Sequence, residues 1–273
     1  NDVVPAGFAM DIIATLKRKS SQEQISSSNI IGILEGSDPE LKNEYVVYTG
    51  HLDHLGVQGD EEDKIYNGAL DNASGIAVML ETIRQLSEGK RPKRSMLFVV
   101  VTAEEKGLLG SNYFAHYPTV EPSAMVANVN LDFVAMLYPF ADVIAFGAEH
   151  STLAKSVEKA ALLSNIKLSP DPFPEQAIFV RSDHYSFVKK GIPSVYLMVG
   201  INSKDPDING LQVFGQFYGK HYHQPSDQAS LAIDYSAGVT FTKISIDLAK
   251  EIANNDIKPS WKVGDYFGQT FAK

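Results

Sequence analysis

The chain has 273 residues, and 44% of them are hydrophobic, which is enough to bury one large core in a single α/β domain over residues 1–273. Its 24 Lys and Arg against 33 Asp and Glu leave a formal net charge of −9, which argues against nucleic acid as a partner. There are no cysteines, so disulfides and thiolate-bound zinc are excluded, and any metal must be held by histidines and carboxylates.

The first part of the chain predicts one helix, a connector and then strands that alternate with helices. Apolar spacing predicts an amphipathic helix over residues 9–17, and a Ser/Gln-rich connector follows it to residue 28. The next predicted elements are, in order, strands over 30–34 and 45–49, an acidic loop over 56–66, a helix from 71–75 to about 86, and a buried strand from Phe98 that turns into a helix.

The second part continues the alternation. Its predicted elements are strands over 124–133 and 143–146, a helix over 152–163, a short helix after His184, a strand over 194–198, a loop-rich segment over 200–219 and a long helix over 235–253. This order predicts an α/β fold, a three-layer α/β/α sandwich around a mixed, mostly parallel sheet. No apolar run approaches the roughly 20 residues of a membrane span.

Two adjacent carboxylates, Glu104 and Glu105, follow the buried strand that ends near Val101. In open α/β sheets, ligands bind at the carboxyl ends of the strands. Two acids placed there are costly unless a cation or a proton compensates them. The pair therefore predicts a site that binds positive charge.

Other segments supply the remaining donors of a metal site. The candidate ligands, all of a type that zinc accepts, are His51, Asp71, Glu105, Asp132 and His223. Five ligands exceed one catalytic zinc, whereas two metals roughly 3.5 to 4 Å apart can share a bridging carboxylate. Asp71 is the natural bridge, because it is short and stands at a helix start beside small residues.

Two further acids are predicted to serve this site. Glu104 neighbours a ligand but leaves the backbone in another direction, so it is free to act as general base. Asp53 lies two residues after His51 on an extended segment, which places both side chains on one face. We expect its carboxylate to accept the other imidazole N–H of His51 and orient the ring. His221 competes with His223 as a ligand by the same spacing.

Five short motifs together resemble the M28 family of co-catalytic zinc aminopeptidases. The motifs, which span residue 30 to about 248, are His51-x-Asp53, Asp71-Asn72-x-Ser74-Gly75, Thr102-Ala103-Glu104-Glu105, Asn130-Leu131-Asp132 and Tyr222-His223-x-Pro225-x-Asp227. Two features depart from the family. Phe133-Val134-Ala135 stands where Met-Ile-Gly is common, and the chain lacks the cysteines that some members pair near the pocket. The departures leave the ligands untouched and concern specificity.

The resemblance implies the following roles. One zinc is bound by His51 and Asp132, the other by Glu105 and His223 in preference to His221, and Asp71 bridges the two Zn²⁺ ions. The Asp71–Asn72 peptide bond is expected to be cis. Arg181 and Tyr222 are similar to residues that contact the substrate and the tetrahedral intermediate in some members.

The implied function is an exopeptidase that releases N-terminal residues from peptides, in the periplasm or outside the cell. The alternatives are a carboxypeptidase or an N-deacylase on the same dinuclear site, or a binding protein that has lost its metals. A serine hydrolase is set aside, because the chain has no Gly-x-Ser-x-Gly elbow and Ser182, Asp183 and His184 are contiguous.

Overall fold

The computed structural model describes residues 7–60 and 62–272, and its regular elements alternate along the chain as predicted. The strands are β1 (Ile30–Leu34), β2 (Tyr45–His51), β3 (Gly56–Val57), β4 (Ile65–Tyr66), β5 (Ser95–Val101), β6 (Met125–Leu131), β7 (Asp142–Phe146), β8 (Lys167–Ser169) and β9 (Ser194–Val199). The helices are α1 (Ser74–Glu88), α2 (Leu109–His116), α3 (Leu153–Leu162), α4 (His184–Val188), α5 (Gly210–Lys220), α6 (Tyr235–Asn254) and α7 (Tyr266–Phe271).

Seven strands form one sheet in the order β1-β5-β2-β6-β9-β7-β8. The pairs β2·β5, β2·β6, β6·β9 and β7·β8 are parallel, whereas β1·β5 and β7·β9 are antiparallel. The predicted mixed, mostly parallel sheet is therefore confirmed. The acidic segment after β2 carries a separate two-stranded hairpin of β3 and β4 where a loop was expected.

Side chains alternate between two apolar layers. Along β2, Val46 and Tyr48 belong to the core on the face covered by α1, α3 and α6, whereas Val47 belongs to a second core. The second core also contains Phe114 of α2 and Phe187 of α4. Because successive residues of a strand point to opposite faces, strands that are apolar on both faces need helices on both sides. The three-layer α/β/α architecture follows.

Two further predictions about secondary structure are wrong. Residues 9–17 form no helix, and Ile13 and Leu16 are both 95% exposed. A single helix of that length is marginal in water without a packing partner, and the fold offers this segment none. The segment 200–219, predicted to be loop-rich, contains most of α5.

The C-terminal part adds α7 beyond the predicted last helix, and β8 adds an unpredicted edge strand. Of the helices over residues 7–60 and 62–272, none combines the length and the apolar character that crossing a membrane requires.

Candidate active site

The site lies where three neighbouring parallel strands end. β2 ends at His51, β5 is followed within four residues by Glu104 and Glu105, and β6 is followed directly by Asp132. β2 lies between β5 and β6 in the sheet, so their carboxyl ends meet at one edge. Parallel strands thus bring together groups that are about 80 residues apart in sequence.

A tight turn presents the two glutamates. Ala103 adopts a left-handed backbone conformation with φ 55°, and the N–H groups of Glu104 and Glu105 donate to the Asp53 carboxylate at 3.0 and 3.3 Å. This corrects the predicted role of that carboxylate. His51 Nδ1 lies 3.0 Å from the backbone oxygen of Asp53 but 3.9 Å from its carboxylate, because the carboxylate is already engaged by the glutamate turn. The ring is oriented by Asp53, through its main chain.

The first group of candidate ligands is buried and tightly packed. His51 Nε2 lies 3.0 Å from Asp132 Oδ1 and 3.2 Å from Asp71 Oδ1. Donor atoms of these three residues all lie within 4.8 Å of one another. Nitrogen and oxygen donors in this arrangement fit a divalent cation such as zinc.

A second group faces the other oxygen of Asp71. His223 Nε2 lies 3.1 Å from Asp71 Oδ2 and 3.4 Å from Glu105 Oε2. Asp71 therefore offers one oxygen to His51 and the other to His223. This is the geometry expected of a carboxylate that bridges two cations.

His54 is a member of this second group that the sequence reasoning missed. Its Nδ1 lies 2.8 Å from Glu105 Oε1, and donor atoms of His54, Asp71 and Glu105 fall within 4.8 Å of one another. The available signal was its place three residues after His51 in the same segment. The competing candidate His221 instead has its Nδ1 2.9 Å from the hydroxyl of Ser226.

The loop that carries Asp71 is tied to both flanking strands. The Asn72 side chain donates to the backbone oxygens of His51 and Leu131 at 3.2 and 3.0 Å, and its Oδ1 accepts from the N–H groups of Gly75 and Phe133, each at 3.1 Å. The Asp71–Asn72 peptide bond is cis, as expected.

Asp227 accepts the N–H groups of Leu70 at 2.9 Å and Asp71 at 3.1 Å, which explains why its motif accompanies His223.

Asp132 is held in a similar way, since the Ser182 hydroxyl donates to its Oδ2 at 2.6 Å. Ser182 in turn accepts from Asn130 at 2.8 Å. Ser182 is thus a support of a candidate ligand and not part of a serine triad, and His184 Nε2 is directed at the Phe179 backbone oxygen at 2.6 Å.

The buried carboxylates of the site favour the binding of positive charge. Burial raises the pKa of Glu104 to about 9, and the carboxylate of Asp132 adds to the effect. Burial likewise raises the pKa of Asp71, but hydrogen bonds from His223 and His51 outweigh it and hold that pKa well below its usual range. The pKa of His51 is raised despite burial, because Asp132 and Asp71 favour its charged form.

A cavity of about 520 Å³ opens beside these donors, and Glu104, Arg181, Tyr222 and His223 all line it. The ring of Tyr222 stacks on that of His223 with centroids 3.9 Å apart. Arg181 is exposed. Glu104 therefore faces the cavity, while Glu105 faces the histidines.

Comparison with known protein families matches residues 29–249 to peptidase family M28. The chain belongs to this family. Among curated proteins, it is 30% identical to a probable leucine aminopeptidase 2 of Aspergillus oryzae over 76% of this chain and 41% of the relative. It is 31% identical to Aminopeptidase YwaD of Bacillus subtilis over 78% of this chain and 42% of the relative.

Solved structures show the same M28 architecture. The crystal structure of BSAP, a zinc aminopeptidase from Bacillus subtilis, superimposes with a TM-score of 0.63 at 25% sequence identity, covering 84% of this chain and 51% of that one. The chain thus spans about two fifths of the length of these curated relatives and about half of this structural neighbour.

Proposed function

We propose that this M28 chain is a zinc-dependent aminopeptidase with two Zn²⁺ ions in its site. The observation that carries the proposal is that Asp71 directs Oδ1 to His51 and Oδ2 to His223. The relatives include proteins named as aminopeptidases, and a structural neighbour is a zinc aminopeptidase. In our assignment, His51 and Asp132 hold one ion, Glu105 and His223 hold the other, and Asp71 bridges.

Zinc bound in this way supplies Lewis-acid polarisation of a carbonyl and lowers the pKa of water. The His54 imidazole, whose Nδ1 lies 2.8 Å from Glu105 Oε1, would add a nitrogen donor to the second ion. Asp53 orients the His51 ring through its backbone oxygen and holds the turn of Glu104 and Glu105 through its carboxylate.

Glu104 is assigned the proton transfer. Its carboxyl faces the cavity and is not needed as a ligand, because Glu105 fills that role. It becomes a base when positive charge lies beside it, since an adjacent cation favours the ionised carboxylate. It then takes the proton of the attacking water and passes it to the amine of the leaving group.

The chain's other cavity residues position the peptide substrate. A free α-amine is attracted by the carboxylates of Glu104 and Asp132, which places the first carbonyl of the peptide at the donors. The Tyr222 hydroxyl is assigned as the donor to the developing oxyanion, and Arg181 contacts the substrate at the cavity. Tyr222→Phe should then lower kcat more than it raises KM.

Cleavage of free and blocked substrates tests the polarity of attack. The zinc-loaded protein should hydrolyse aminoacyl p-nitroanilides and lose activity on their N-acetylated forms, because acetylation removes the charge of the amine and adds bulk. Equal cleavage of both forms would instead establish an N-deacylase or a related amide hydrolase, and cleavage from the C-terminus would establish a carboxypeptidase. A protein that binds no zinc by elemental analysis would be the metal-free binding protein.

A further inference from the structure

Helix α5 presents one face to the cavity. The lining residues are spaced by three and four positions and are Leu211, Phe214, Gly215, Tyr218 and Gly219 of the helix and Tyr222, two residues beyond its end. Positions three and four apart lie on the same side of a helix, so they form two neighbouring rows. One row is aromatic and the other is largely glycine.

The aromatic row is a stack that ends at a candidate ligand. The rings of Phe214 and Tyr218 are 6.2 Å apart and inclined by only 12°, and those of Tyr218 and Tyr222 are 4.5 Å apart at 15°. Tyr222 then stacks on His223. The stack therefore extends along the cavity wall as far as the candidate metal donor His223.

The glycine row is not required by the fold. A Cβ added at Gly215 or at Gly219 would meet no atom within 4 Å, and neither residue has a positive φ. Gly210 in the same helix differs, because its Cβ would come within 2.5 Å of the Ile201 backbone oxygen. Glycine inside a helix is destabilising relative to alanine, so two glycines one turn apart carry a cost without a local structural reason.

We propose that Gly215 and Gly219 set the size of the substrate pocket and select peptides with a large aromatic N-terminal side chain. The inference rests on the proposed aminopeptidase function, because the same cavity holds Glu104 and the metal donors. The cavity falls within the range of about 300 to 1,000 Å³ typical of small-molecule sites.

The chemistry of the walls favours an aromatic occupant. Besides the two rows of α5, the lining includes the apolar side chains of Phe173, Ile178 and Met198. A planar ring lying over the glycines meets the stacked rings of the adjacent row, where offset or edge contacts between aromatic groups are favourable. An aliphatic side chain gains only the apolar burial, and a short one leaves the space over the glycines unfilled.

The Gly215→Leu variant tests this inference by filling the space. Leucine is a strong helix former, so the variant keeps α5 and should melt at or above the wild-type Tm. We expect the ratio of kcat/KM for phenylalanyl against alanyl p-nitroanilide to fall by about 10- to 100-fold, the scale of a lost apolar contact in a pocket. Gln216→Leu, on the exposed side of the same helix, is the matched control and should leave the ratio unchanged.

The outcomes separate the two proposals. An active wild-type enzyme that prefers alanyl or glutamyl substrates, or a ratio that Gly215→Leu leaves unchanged, overturns the selection by the glycines while the aminopeptidase function stands. A wild-type protein that cleaves no aminoacyl substrate overturns the function. In that case calorimetric binding of L-phenylalaninamide and L-alaninamide decides the inference about pocket size. It requires Gly215→Leu to raise the Kd of L-phenylalaninamide about 10-fold or more and to leave that of L-alaninamide unchanged.

Discussion

Replacing Asn72 by alanine tests how the fold supports the loop that carries Asp71. The Asn72 side chain is 3% exposed and joins the end of β2, the end of β6 and the first turn of α1 through four hydrogen bonds. Alanine removes all four and leaves the N–H groups of Gly75 and Phe133 without this acceptor. Both of these residues are buried, so water does not readily replace the lost oxygen.

The expected loss follows from those two donors. A buried donor left unsatisfied costs about 1–3 kcal/mol, so the Asn72→Ala variant should lose about 2–6 kcal/mol of the free energy of unfolding. The total free energy of unfolding of a typical domain is about 5–15 kcal/mol, so this loss is a large share of it. Zinc affinity should fall as well, because Asn72 also donates to the backbone oxygens of His51 and of Leu131, which directly precedes Asp132. Both residues beside these contacts are candidate ligands.

Urea titration of the metal-free protein, followed by circular dichroism, measures the first effect, and zinc titration measures the second. The matched control is Asn43→Ala, whose exposed amide makes one hydrogen bond of 3.4 Å and which should change stability by no more than about 0.5 kcal/mol. If Asn72→Ala loses less than about 1 kcal/mol with an unchanged denaturant slope, the hydrogen bonds of Asn72 do not support this loop and the reasoning fails.

Three other changes probe the site and its surroundings. Glu104→Gln should retain zinc by elemental analysis and lose roughly 10² to 10⁴-fold in kcat, and near-normal turnover would mean that another base acts. Asp71→Ala should lose both zinc equivalents, whereas a variant that keeps two would contradict the bridge. Burial raises the pKa of Asp183 from 3.8 to about 7, so the folded protein holds this proton in a pH range where the unfolded chain releases it. Its contribution to stability therefore falls as pH rises through that window. Urea titrations at several pH values should show that Asp183→Asn reduces this decline in the free energy of unfolding. An equal decline in the wild type and the variant would contradict the assignment.

The strands and most helices could be predicted because their apolar spacing is regular. β1 matches its predicted range, and α6 extends its predicted range by one residue. The sequence does not predict α5, because Gly210, Gly215 and Gly219 weaken the helical signal even though the apolar residues of the segment recur at helical spacing. The reverse error at residues 9–17 arose because amphipathic spacing says nothing about whether a packing partner exists.

The clustering of the candidate ligands could be predicted because each stands near the end of a strand or a helix terminus, and the topology brings these ends to one edge. The supporting contacts could not. Ser182 donates a hydrogen bond to Asp132, which is 50 residues away in sequence, and no local sequence pattern predicts such a pairing. The Asp53 carboxylate was assigned by strand alternation, which gives the direction of a side chain but not the backbone N–H groups that compete for it.

The placement of the donors at the ends of β2, β5 and β6 has a consequence for how the molecule opens. Each of these strands has a hydrogen-bonded neighbour on both sides, and nearly all of their residues are buried. Amides in such strands exchange with solvent only through openings close to global unfolding, whereas half-exposed helices such as α5 open locally at a lower free energy. We therefore expect hydrogen exchange to be slowest directly behind the candidate metal donors and much faster in the helix that lines the cavity. The cavity can then open locally while the donor atoms keep their spacing.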